Sequence, residues 1–264
     1  MTTTTAPELV GPAKGGGFTG AVAFEWTKFW SVRATWWNLA VGLLLTVGFA
    51  AMVGASADAS AKKGVDVTMP APYHASQAFL ISQLAIVVLA TLALTSEYSS
   101  GSIRTTLQSV PKRGRMLRSK TLVVAAVVVV AGIVLSLLGT LVAAPLMGGH
   151  GAYTGGQLLG TAIGAGVYLA LLAVTAIGLG TVLRSAAGTI TTLIMVLLAL
   201  PQLMGVVGAD WLETASDYMP SVAGTVLLTQ DGDPYGGGTA LLVLVVWALA
   251  AHLAGAAVLR RRDA

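Results

Sequence analysis

The chain has no cysteine, which excludes disulfides, thiolate metal sites and cysteine nucleophiles together. Charge is also scarce. Only 10% of the residues are Asp, Glu, Lys or Arg, against 55% hydrophobic and a mean hydropathy of +0.81. Such a chain is too apolar for a surface that faces water, and most of its surface is expected to face lipid. No G-x-x-x-x-G-K-[ST] segment is present, so the chain by itself has no phosphate loop with which to hydrolyse a nucleotide. Its three histidines, His74, His150 and His252, share no paired spacing, and they read as surface or interfacial residues with no metal site among them. The formal net charge of +4 would point to nucleic acid in a soluble protein. Here the position of the charges matters more than their sum, and no nucleic-acid partner is expected.

Six apolar runs are long enough to cross a bilayer, which takes about 20 residues at 1.5 Å rise. They lie near 37–56, 78–96, 121–146, 158–183, 186–208 and 239–259. The fifth contains Pro201, expected as a kink. Arg184 and Ser185 form a very short polar break between the fourth and fifth runs, read as a tight hairpin between two full spans. Residues 1–17, rich in Thr, Gly, Pro and Ala, cannot bury enough surface to order themselves and read as a disordered cytoplasmic tail. They contain no short apolar core with a cleavage site, so the first span is expected to remain in the mature protein.

Lys and Arg alternate between the two sides. Lys28 and Arg33 precede the first span, and Arg104, Lys112, Arg113, Arg115, Arg118 and Lys120 lie between the second and third. Arg184 lies between the fourth and fifth, and Arg260, Arg261 and Arg262 follow the sixth. All of these fall on one side. The other side has only Lys62 and Lys63, and its last loop carries Asp210, Glu213, Asp217, Asp231 and Asp233. The positive-inside rule then predicts both termini in the cytoplasm and a multi-pass protein of the inner membrane. No span carries a charged residue deep in its apolar run, so the ion relay expected of many secondary transporters is missing.

Between 18 and 33, Phe18, Val22, Trp26, Phe29 and Trp30 recur at helical spacing, with Glu25, Lys28 and Arg33 elsewhere on the wheel. This predicts a helix lying in the inner interface, with Trp36 and Trp37 at headgroup depth. After the second span comes Glu97-Tyr98-Ser99-Ser100-Gly101-Ser102-Ile103-Arg104-Thr105-Thr106-Leu107, then Pro111 and the basic run. Small polar residues able to cap, followed by a helix over 102–109 that Pro111 ends, predict a short interfacial helix held between two spans. Its exposed face would combine Arg104, Thr105 and Gln108, with Ile103 and Leu107 available to pack inward or against a partner. For Glu97 a local ion pair with Arg104 is the structural expectation, worth about 0 to 1 kcal/mol in water.

Taken in order, these features resemble the membrane subunit of ABC type 2 transporters, the exporter permease family that pairs with a separate ATPase. The resemblance is carried by Glu97 with Gly101-Ser102-Ile103-Arg104 and Leu107, then Pro111, Arg113 and Lys120. It extends to Glu25-x-x-Lys28 with Trp26 and Arg33, the six-span layout, and the tail Arg260-Arg261-Arg262-Asp263. It implies an all-α polytopic fold with an N-terminal interfacial helix and a cytoplasmic coupling helix between the second and third spans. Glu97, Gly101, Ser102, Ile103, Arg104 and Leu107 would then be docking and transmission positions for an ATPase subunit. ATP and Mg would sit on that partner and none on this chain.

The same resemblance implies a second permease copy, identical or not. It likens Tyr218-Met219-Pro220-Ser221-Val222-Ala223-Gly224 to a short outer re-entrant segment. It also turns the second and fifth spans toward a substrate path, which would present Ser82, Gln83, Thr91, Thr95, Thr191, Thr192 and Gln202. So few polar groups in an apolar lining suit a hydrophobic or amphipathic cargo. Gly160, Gly164, Gly178 and Gly180 give the fourth span faces for close helix packing or for a dimer seam. Two other classes stay open at this stage: a secondary transporter or channel, and a membrane anchor or assembly protein that moves nothing.

Overall fold

The computed structural model describes residues 16–261, so the tail read over 1–17, up to Gly15, and the terminal Arg262 and Asp263 lie outside the described residues. Among the described residues every regular element is helical. In chain order these are α1 (Gly17–Ser31), α2 (Arg33–Lys62), α3 (Ala71–Ser76), α4 (Phe79–Ser99), α5 (Ile103–Ser109) and α6 (Arg113–Leu146). They continue as α7 (Gly155–Leu183), α8 (Ala186–Ile194), α9 (Leu200–Val207), α10 (Asp210–Asp217), α11 (Pro220–Thr229) and α12 (Gly237–Arg261). Six helical stretches are long and apolar enough to cross a membrane: α2, α4, α6, α7, α8 through α9, and α12. Each overlaps one of the runs expected from sequence.

The polar break at Arg184 and Ser185 and the proline in the fifth run have local explanations. Arg184 ends α7 in the left-handed region (φ 53°), and the Ser185 hydroxyl accepts from the Gly188 amide at 3.2 Å to open α8. The polar break is therefore a complete helix stop and restart in two residues. At Pro201 the chain does not simply kink. A π turn, Met195–Ala199, precedes the proline, and Pro201 falls in the first turn of α9, where its missing N–H costs least.

Helix α7 is the most enclosed of the six and packs against α4, α6, α11 and α12. Glycine makes these approaches possible at the backbone. A Cβ on Gly132 of α6 would lie 2.8 Å from the Gly166 Cα of α7, and one on Gly178 would lie 2.4 Å from the Ala251 carbonyl carbon of α12. The α7 glycines noted in the sequence thus serve packing within the chain: Gly164 faces the Leu227 carbonyl of α11, and Gly180 faces Thr95 of α4.

Polar side chains inside the bundle are satisfied largely by their own helices. The hydroxyls of Thr46, Ser82, Thr95, Thr140 and Thr181 donate to the carbonyl four residues back, at 2.7 to 3.0 Å. A buried side-chain pair bridges α4 and α7: the Tyr168 phenol donates to the Gln83 side-chain carbonyl oxygen. Helix α11 is ten residues long, about 15 Å, too short to span; it packs on α7 and α12 at the end opposite the basic loops.

Candidate functional site at the basic end of the bundle

The basic loops gather α1, the C-terminal end of α4, α5 and the start of α6. Helix α1 does not bury the stripe expected of it. Its inward residues are Ala21, Glu25 and Phe29, four apart, whereas Phe18 and Trp26 are exposed. The reading that set Glu25 away from the packed face is corrected: this carboxylate is 3% exposed and points at α6. The reason is a cation on the facing helix that composition alone does not reveal.

That cation is Lys120, itself 3% exposed. Its ammonium lies 2.6 Å from Glu25 Oε2 and 2.5 Å from Glu97 Oε1. Lys28 reaches the same Glu97 oxygen at 2.9 Å and donates to Thr106 Oγ1 at 3.0 Å. The Thr106 hydroxyl in turn donates to Glu97 Oε2 at 2.9 Å. Two acids and two bases, from α1, α4 and α6, therefore form one neutral network in which Glu25, Glu97 and Lys120 are buried and Lys28 is partly exposed, and Thr106 brings α5 into it. In a low dielectric each ion alone would carry a desolvation penalty of several kcal/mol, which only close pairing of this kind offsets.

The expected pairing of Glu97 with Arg104 does not occur. Glu97 faces inward from α4 and is fully engaged by Lys28, Lys120 and Thr106, while Arg104 lies on the outer face of α5. The rest of α5 is arranged as expected. Arg104, Thr105 and Gln108 are exposed, Ile103 is buried and Leu107 is half-buried against the core.

Gly101 turns the chain from α4 into α5 at φ 71°, in a region that costs a residue with a Cβ about 1 to 2 kcal/mol. Ser102 stands at the N-cap without capping, because its φ and ψ (−68°, −10°) are already helical; Ser99 and Ser100 donate instead to the Ser96 carbonyl. Arg113 opens α6 and donates to the Leu259 carbonyl at 3.0 Å, tying the start of α6 to the C-terminal end of α12. Arg33, at the start of α2, is exposed. The α1–α2 corner is held by Thr35 Oγ1 donating to the Phe29 carbonyl at 2.7 Å and Trp36 Nε1 donating to the Trp30 carbonyl at 3.1 Å.

The residues assigned by resemblance to a substrate path are not brought together in one copy of the chain. Ser82, Gln83, Thr91 and Thr95 are buried inside the bundle, whereas Thr191, Thr192 and Gln202 are exposed on α8 and α9. Two members of the network are not set apart by residue type, although Lys120 is among the residues that carry the resemblance. Thr106 is one of two adjacent threonines in its loop, and Lys120 is one of several cations in the basic run. The one signal is spacing: Lys120 follows Met116 and Leu117 and precedes Val123 and Val124 on a single helical face.

Among the described residues no group of three or more His, Asp or Glu side chains is placed to hold a metal ion. Compared with known proteins, the chain matches no family model and no curated sequence.

Proposed function

We propose that this protein is the permease subunit of an ATP-driven exporter of the ABC type 2 kind. It would sit in a bacterial inner membrane with both termini in the cytoplasm, and export a hydrophobic or amphipathic molecule. On this reading α5 is the coupling helix. A separate ATPase subunit carries ATP and Mg, this chain performs no covalent chemistry, and a second permease copy completes the path. The observation that carries the reading is α5 itself. One face, Arg104, Thr105 and Gln108, is free to meet a partner, and the opposite face is tied through Thr106 to ions on α1, α4 and α6.

The mechanism follows from that linkage. A push on α5 moves Thr106, and Thr106 moves with Glu97 because their hydrogen bond is charge-assisted. Glu97 shares Lys120 with Glu25, so α4, α6 and α1 respond together rather than one at a time. A docked ATPase that closes on ATP would then drive the basic ends of the second and third spans as a unit. The neutrality of the network lets it shift as a body without exposing an unpaired buried charge.

The test is a pair of variants. Arg104→Glu reverses charge on the exposed face and is expected to remove a co-purifying ATPase while leaving the permease folded. Thr106→Val keeps the exposed face and is expected to retain the ATPase but lower transport driven by ATP. Efflux unchanged in both variants, or efflux that survives ATP depletion and stops with an uncoupler, contradicts the proposal.

A further inference from the structure

Helices α2 and α6 meet closely where glycine allows it. A Cβ on Gly139 would lie 3.4 Å from Thr46 Cγ2 and 3.6 Å from Ala50 Cβ, and one on Gly54 would lie 2.7 Å from the Ala143 carbonyl oxygen. From Gly139 toward the basic end a groove of about 500 Å³ opens between the two helices. Leu39 and Leu43 of α2 form one wall, the exposed Val130 and Val134 of α6 form the other, and the buried Ile86 of α4 is the floor. Trp26 and Trp30 of α1 border its basic end, where the Glu25–Lys120 pair holds α1 against α6. Every side chain that lines the groove is aliphatic or aromatic.

The dimensions limit what can fill it. Helix α6 lines the groove from Ala126 to Leu138, a length of about 18 Å at 1.5 Å per residue. Its deep end, at Gly139, faces Thr46 in the middle of the apolar run 37–56. The groove therefore covers one leaflet of a hydrocarbon core about 30 Å thick, from the basic-end surface to the midplane. Spread over that length, its volume gives a mean section of about 28 Å², whereas a helix 10–12 Å across takes roughly 80 Å² or more. A helix of a second copy could lie over the mouth but not fill it. One extended hydrocarbon chain matches the length, the width and the chemistry. We propose that the groove binds one acyl chain of a phospholipid of the inner leaflet, whose ester region lies at the Trp26, Trp30 and Trp36 cluster. Those rings pack on one another with centroids 4.9 to 5.7 Å apart, at the depth amphipathic aromatics prefer. Bound there, the chain touches α1, α2, α4 and α6, and braces α1 against the spans from the membrane side. The inference rests on the membrane reading of the six spans, and it needs no ATPase.

The test uses the full-length protein in phosphatidylcholine vesicles that contain a small fraction of phosphatidylcholine with a diazirine in the middle of one chain. After photolysis the labelled residues are mapped by mass spectrometry. A chain enclosed on three sides gains dispersion contacts that a chain on an open helix face lacks. Label over residues 126–138 is therefore expected to be roughly fivefold denser than at the exposed Leu242, Leu249 and Leu253 of α12. Ala131→Phe, which narrows the groove from its α6 wall and leaves every ion in place, is expected to bring the two regions level. Even labelling of the unaltered protein, a groove left unlabelled because a second copy covers it, or a preference that persists in Ala131→Phe overturns the proposal. The distribution on the unaltered protein decides the matter even where the variant fails to fold. The readout is independent of ATPase docking, so this inference and the exporter reading fail separately.

Discussion

Lys120 is held between two carboxylates that lie 95 and 23 residues away in sequence, and each of those depends on it. Removing it leaves Glu25 and Glu97 facing each other in a dry environment with only Lys28 to share. Lys120→Met is therefore expected to destabilise the protein by about 3 to 5 kcal/mol, the usual cost of breaking a buried ion pair from one side. Thermal unfolding in detergent measures this. Lys28→Met is expected to cost less, because Lys28 is 27% exposed and water screens its charge. At this scale the sequence was legible for identity and not for pairing. Glu25, Lys28 and Glu97 were visible as acids and bases at the edges of apolar runs. Yet nothing local distinguishes a Glu97–Arg104 pair, seven residues apart, from the long-range bond to Lys120 that wins. The winner is set by which face of α6 turns inward, and that depends on packing against α1 and α4.

Among the elements, α5 depends on two backbone and side-chain devices, and each predicts a different failure. Thr106→Val removes a hydrogen bond to a charged group, worth about 2 kcal/mol, and frees α5 from α4 without changing its exposed face. Limited proteolysis near residues 100–110 is expected to quicken in that variant. Gly101→Val strains the turn at φ 71° and is expected to misalign α5 as a whole, so that both partner binding and coupling are lost. Helix pairs respond to glycine in the same position-specific way. A Cβ on Gly166 would meet the Val129 carbonyl oxygen at 2.8 Å, whereas one on Gly205 meets nothing within 4 Å. Gly166→Val is expected to abolish monodisperse protein in gel filtration, and Gly205→Ala to leave it intact or improve it. Element positions were largely legible, because apolar run length and Pro111 mark helices directly. The buried face of α1 was not, since an acid at the centre of that face violates the apolar periodicity used to find it. The π turn before Pro201 was likewise invisible, because a proline predicts only that the ladder must adjust.

For the whole molecule, the six apolar helices and the one-sided distribution of Lys and Arg follow from composition and length, so both are legible in the sequence itself. The paths of the spans agree with that distribution. Arg113 meets the end of α12 and Arg184 stacks on Tyr98 at 5.2 Å, which gathers four separate basic loops at one end. Orientation in the membrane is open to direct measurement, because the chain has no cysteine of its own and a single introduced thiol is unique. Gln108→Cys is expected to react with a membrane-impermeant maleimide only in inverted vesicles, and Asp210→Cys only in intact cells. The seven polar residues tied by resemblance to a substrate path divide between the interior of the bundle and the exposed surface of α8 and α9.

The central claim is that the exposed face of α5 docks an ATPase whose motion reaches the spans through Thr106 and the ion network. The measurement that tests it most directly is purification of the tagged protein from native membranes in mild detergent, with and without Arg104→Glu, followed by quantification of any bound ATPase subunit. The account predicts an ATPase in equal amount with the unaltered chain and its loss with the reversed charge, while the altered chain remains monodisperse. An unaltered chain that purifies alone, or an ATPase that stays bound after the reversal, would contradict it.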